Sequence, residues 1–210
     1  MDLDPDRSST HGGQEAPQNR LSGAAETTWQ LADPADRAAL APAVRLLGAV
    51  WPAMLDELRA SVAQVVLSDD TTAEGDHTDA VPQGTVLIDR HCLTPSPDGL
   101  LGSVRLAEAL VREGTRTRYD AAAECEPFVT GAAPAGPLRR MVVLSRCALL
   151  YRRLLESGPA AEPALEQRHA RLLADLGEAV AAVGTHRAEL TDRGLRLLDR
   201  GARLTSGAAL

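Results

Sequence analysis

The sequence has no lysine: all 22 basic residues of its 210 are arginine. This excludes any chemistry that needs a side-chain amine, including Schiff-base and pyridoxal-phosphate lysines and the lysine of a phosphate-binding loop. Aromatic residues make up only 2% of the chain: Trp29, Trp51, Tyr119, Phe128 and Tyr151. So few argue against readers of nucleic acid that stack bases on aromatic rings. The net charge of −7 opposes generic binding to DNA or to anionic membranes. Cysteine is sparse. Cys92, Cys125 and Cys147 are too far apart for a C-x-x-C pair and odd in number. No disulfide framework is expected, and a reducing, cytoplasmic setting fits. No apolar run reaches 18 residues, and residues 1–15 are polar and acidic, so neither a membrane span nor a secretory signal is expected. A single isoleucine (Ile88) and a single asparagine (Asn19), beside abundant Ala, Arg, Gly and Leu, reflect the codon usage of a GC-rich genome.

What remains can build a core. Hydrophobic residues are 44% of the chain and charged residues 24%, within the range of one globular domain. Charge is unevenly spread. Residues 1–80 hold 14 acidic and 5 basic side chains (net −9), and residues 81–210 hold 15 and 17 (net +2). The first 25 residues, rich in Asp, Ser, Gly, Pro and Gln, read as a disordered acidic tail. Helical periodicity starts at Asp33-Pro34, a cap followed by proline at the first helical position. Leu40, Val44, Leu47, Val50 and Trp51 then recur at three- and four-residue steps, and Pro52 predicts a break with a new helix. Val65-Val66-Leu67 either closes that helix or forms a short strand, and Thr85-Val86-Leu87-Ile88 is the best strand candidate. Between them, residues 68–83 form an acidic loop without calcium-loop spacing. Helices are expected over 101–123, from Pro137 to Ser157, from Glu162 to Val183, and from a Thr191 cap to Arg203. The reading is mainly α: one helical domain over 26–210 with one or two short strands.

The helix over 101–123 carries the stretch with chemical content. Arg112-Glu113-Gly114-Thr115-Arg116 has the form of H-E-x-x-H with both histidines replaced by arginine. Two histidines four apart share a helical face and can chelate one metal ion, with the glutamate as base. A guanidinium has no lone pair to give and is always charged, so Arg112 and Arg116 keep the spacing and lose the ligation.

Around this motif stand Trp51-Pro52, Glu57-Leu58-Arg59 and Thr85-Val86-Leu87-Ile88. Leu93-Thr94-Pro95, Leu106-Ala107-Glu108-Ala109-Leu110-Val111, Cys125-Glu126-Pro127-Phe128, Gly136-Pro137-Leu138-Arg139-Arg140 and Leu190-Thr191-Asp192-Arg193-Gly194 follow in order. Over residues 35–205 this succession resembles the HEXXH-motif family of peptide-modification proteins. Members are found in the biosynthesis of ribosomally made, post-translationally modified peptides, and some are 2-oxoglutarate-dependent iron enzymes that hydroxylate a peptide β-carbon. The resemblance implies a ribosomal precursor peptide, or an enzyme that modifies it, as partner. It carries over only Glu113, because the family's metal positions are arginine here. No metal and no cofactor are therefore expected.

Three readings stay open: a peptide- or partner-binding pseudoenzyme, a metal-independent tailoring enzyme, and a helical interaction protein without catalytic function. For the second, Glu113 and Tyr119 are the candidate acid–base residues, with Asp120 beside Tyr119, and Arg112 and Arg116 would stabilise an anion. For binding, two arginine stripes matter. Arg105, Arg112 and Arg116 fall on one face of their helix, and Arg139, Arg146 and Arg153 recur every seven residues on the next. If both stripes face one cleft, they form a site for carboxylates or an acidic peptide. If not, each is a solvated helix face, with Glu108–Arg112 a surface pair. Tyr119 is expected to pack with its hydroxyl at the surface, and Cys125 and Cys147 to be buried inert thiols. Elemental analysis of the purified protein is expected to show no stoichiometric iron or zinc; one metal ion per chain would contradict the loss of the site.

Overall fold

The computed structural model describes residues 34–68, 84–130, 135–158 and 162–207. The tail expected over 1–25 and nearly all of the acidic loop lie outside them. Among the described residues there are six α-helices: α1 Pro34–Val50, α2 Pro52–Ser61, α3 Gly102–Cys125, α4 Ala135–Ser157, α5 Pro163–Gly184 and α6 Asp192–Thr205. Two strands, β1 Gln64–Ser68 and β2 Thr85–Asp89, complete the fold. The mainly α reading holds, and both strand candidates are strands.

Local sequence accounts for most boundaries. The α1–α2 break falls at Trp51, directly before Pro52, which supplies no N–H to continue the first helix. Thr191 caps α6 as expected, its hydroxyl accepting from the Gly194 N–H at 3.2 Å. The strands pair in parallel, Val65 opposite Val86 and Leu67 opposite Ile88, and these four side chains make the buried face of the pair. A turn of 3-10 helix, Arg90–Leu93, leads from β2 towards α3. His91 and Cys92 sit in that turn. The bidentate ion pair of Arg90 with the buried Asp36, at 2.8 and 3.0 Å, ties it to the first turn of α1.

Two apolar clusters lie end to end along the long helices. The first joins α1, α2 and the strands to Val104–Val111 of α3, Val143–Leu154 of α4, and Leu165 and Leu172 of α5. The second joins Tyr119 and Phe128 to Leu138, Met141, Leu176, Ala179, Val183, Leu190, Leu198 and Leu204. α3 and α5 run from the first cluster into the second and α4 runs back, so the three form an antiparallel up–down–up group.

At the second cluster's end, the α3–α4 and α5–α6 connections are joined through an antiparallel bridge between Val129 and Leu190. The Thr130 N–H donates to Glu189 O at 2.7 Å and the Thr191 N–H to Phe128 O at 3.1 Å. This close approach requires glycine at 194, where a Cβ would lie 2.2 Å from the Phe128 carbonyl oxygen. Gly194→Ala is expected to destabilise the fold by about 1–3 kcal/mol through overpacking against rigid backbone. Chemical denaturation would read this, and an unchanged midpoint would refute it.

Candidate functional site

The motif helix α3 presents two different faces, and its polar residues divide between them. One turn before the motif, Glu108 is buried. It accepts a 2.7 Å hydrogen bond from the Tyr151 hydroxyl of α4, and Arg168 of α5 grips both of its carboxylate oxygens. The expected surface pair of Glu108 with Arg112 does not form. Helical spacing placed Arg112 within reach, but only the assembled helices show that Glu108 points between α4 and α5.

Burial and the adjacent Glu108 carboxylate push the Tyr151 hydroxyl far above its ordinary range. The hydrogen bond to Glu108 likewise holds the Arg168 guanidinium further in its charged form. Cys147, fully enclosed beside this group, is pushed up to about 12, first by burial and then by Glu108, and is a protonated, inert thiol. Cys125, by contrast, is exposed at the end of α3, against expectation.

The other face carries the motif. Glu113 lies between Arg112 and Arg116. Arg112 Nε donates to its Oε1 at 2.9 Å, and Arg116 Nη1 approaches both oxygens at 3.3 Å. Across from them the first turns of α4 supply Gly136, Arg139, Arg140, Val143 and Leu144. Together with Arg112 and Arg116 these line a cleft of about 280 Å³. Arg139 is braced by Asp120 of α3 at 3.2 Å. The two stripes thus share a cleft in part. Arg112, Arg116 and Arg139 are brought together; Arg105 and Arg146 are not.

Arg105 donates to the carbonyls of His91 and Thr94, fastening the 3-10 turn to α3. Arg146 pairs with Glu57 of α2 at 3.1 Å and lies over the Trp51 ring, which Arg153 also covers at 5.0 Å. Tyr119 is elsewhere again. Its ring stacks on Phe128 with centroids 4.8 Å apart, and its hydroxyl is buried without a hydrogen-bond partner. The surface hydroxyl expected from sequence is therefore corrected. Apolar burial against the α3–α4 connection pushes it up to about 12, so it stays protonated at neutral pH. Arg140 is the cleft residue that the seven-residue spacing missed. It neighbours Arg139 and falls off the stripe, yet the adjacent pair at the start of a helix was visible in the sequence.

The guanidiniums of Arg112 and Arg116 already donate to Glu113, and their charge repels a cation. Among the described residues no group of three or more His, Cys, Asp or Glu stands close enough to hold a metal ion. No helix among them is long and apolar enough to cross a membrane. No family model matches the chain, and a search of the curated proteins finds no relative.

Removing the Glu108 carboxylate strands the Arg168 charge and the Tyr151 hydroxyl between three helices. Glu108→Ala is expected to cost about 3 kcal/mol, the lower end for a broken buried pair because Arg168 is partly exposed. Titration with a thiol reagent should show Cys125 reacting at once and Cys147 only on unfolding. Early labelling of Cys147 in Glu108→Ala, but not in the parent, would locate the damage at this junction.

Proposed function

We propose that this chain is a metal-free peptide-binding protein, a degenerate relative of the HEXXH peptide-modification proteins. In this reading it serves the maturation of a ribosomally made peptide in the cytoplasm, by holding an acidic segment of the precursor or of an enzyme acting on it. The observation that carries the proposal is the cleft itself. The two arginines at the motif's former ligand positions face two more arginines across it, over an apolar floor. Such a surface suits carboxylates, which guanidinium groups bind in paired, charge-assisted hydrogen bonds.

Two contacts favour binding over catalysis. Glu113, the residue left from the motif, is occupied by both neighbouring arginines. Tyr119, the other acid–base candidate, does not line the cleft and stays protonated. A general base must reach the proton that it removes; Glu113 is held by two guanidiniums, and the Tyr119 hydroxyl is buried away from the cleft.

Maturation of the peptide in a host carrying the intact gene set, read by mass spectrometry, tests the proposal. Gene deletion should stop maturation, Glu113→Gln should leave it largely intact, and the double change Arg112→Ala, Arg116→Ala should reduce it at least about tenfold, the effect of losing roughly 1.4 kcal/mol of binding. Abolition of maturation by Glu113→Gln, with protein level and thermal midpoint unchanged, would overturn the binding reading in favour of catalysis.

A further inference from the structure

We propose that the α3–α4 cleft selects a doubly charged acidic segment, two carboxylates next to one apolar side chain, and that Arg140 distinguishes it from a singly charged one. This rests on the peptide-binding reading and adds the epitope and the residue that reads it.

The charge inventory sets the first half. Four guanidiniums line the cleft, and two carboxylates, Glu113 and Asp120, neutralise part of them. Two positive charges remain, which matches a dianion. The donors point the same way. Arg112 uses Nε for Glu113, and its two terminal NH₂ groups make no hydrogen bond among the described residues. They leave the paired fork that a carboxylate takes. Arg116 and Arg139 each hold their acid at 3.2 Å or more, through a single nitrogen. Arg140 has no ion-pair or hydrogen-bond partner among the described residues, and it is exposed on the second turn of α4. It is the cleft arginine with its whole charge to offer.

The first turn of α4 contains no acidic residue, so the positive end of this 23-residue helix adds to the same field. The space beside Gly136 is open: among the described residues a Cβ there would meet nothing within 4 Å.

Size and lining set the second half. About 280 Å³ lies below the range of pockets that enclose a whole small ligand, and holds a side chain or two. Val143 and Leu144 make the floor apolar, which favours an aliphatic residue beside the acids. A nucleic acid would bring charge but expects stacking platforms. Trp51, Tyr119, Phe128 and Tyr151 are all buried, so no aromatic face among the described residues is offered.

Fluorescence anisotropy with labelled hexapeptides containing Glu-Glu-Leu, Gln-Glu-Leu or Gln-Gln-Leu tests this. The double acid should bind about tenfold tighter than the single acid, with a preference that weakens as salt is added. Arg140→Ala should erase that preference, bringing double-acid binding down to the level of single-acid binding. Arg140→Glu should prefer a Lys-Glu-Leu peptide over Glu-Glu-Leu. Both variants change an exposed side chain, and an unchanged thermal midpoint confirms their fold. A preference that survives Arg140→Ala, or equal binding of single and double acids, overturns this inference and leaves the peptide-binding reading standing. Failure of every peptide to bind overturns the reading as well. Displacement of the peptide by an oligouridylate at lower concentration than by unlabelled peptide overturns the assignment to a peptide.

Discussion

The buried carboxylate of Glu108 is the constraint on which the rest of the structure depends. A charge enclosed among apolar helices is costly unless it is fully partnered, and here the partners come from two other helices. Tyr151 reaches it from α4 and Arg168 from α5, so the three long helices share one junction. Apolar packing alone tolerates rotation and sliding; a carboxylate that accepts from a hydroxyl and a guanidinium fixes direction as well. With the α3–α4 crossing fixed, Arg112 and Arg116 one and two turns further along α3 must face the start of α4. The cleft follows from the junction.

The same helix therefore runs two kinds of electrostatics in adjacent turns. At Glu108 the charges are balanced and the carboxylate is enclosed, and the arrangement is structural. At Glu113 the single carboxylate is outnumbered, the surroundings are open, and positive charge is left over. This surplus sits in a chain whose net charge is −7. That negative excess lies in residues 1–80, at net −9, whereas residues 81–210, which hold the cleft, are net +2.

Much of the fold was legible in the sequence. Proline at Pro34 and Pro52, the Thr191 cap and the short β-branched runs of β1 and β2 are local signals, and they mark the element ends within a few residues. The parallel pairing of the strands was not legible, because partner choice depends on the helices packed against them. The site was legible in part. Spacing put Arg112 with Arg116 on one face and Arg139 on a stripe of the next helix, but it left open whether the two stripes meet and extended each too far. Arg105 and Arg146 obey the period and still serve other elements, because helices of 24 and 23 residues pass several neighbours. Glu108 was misplaced for the opposite reason: a charged residue in an amphipathic helix reads as solvent-facing until its partners arrive from residues 43 and 60 positions away. Tyr119 was misjudged because Phe128, on which it stacks, lies beyond the end of its helix.

The bridge between Val129 and Leu190 gives the carboxyl-terminal helix a larger role than its position implies. Backbone groups 59 to 63 residues apart satisfy one another there, from Thr130 to Glu189 and from Thr191 to Phe128. α6 caps onto the same residues, with the Thr191 hydroxyl donating to Pro127 or Phe128. Fraying of the last helix therefore frees amides in the connection that leads into α4 and the cleft. The two connections at this end of the helix group are therefore expected to open together in amide exchange, although the chain visits them in separate passes.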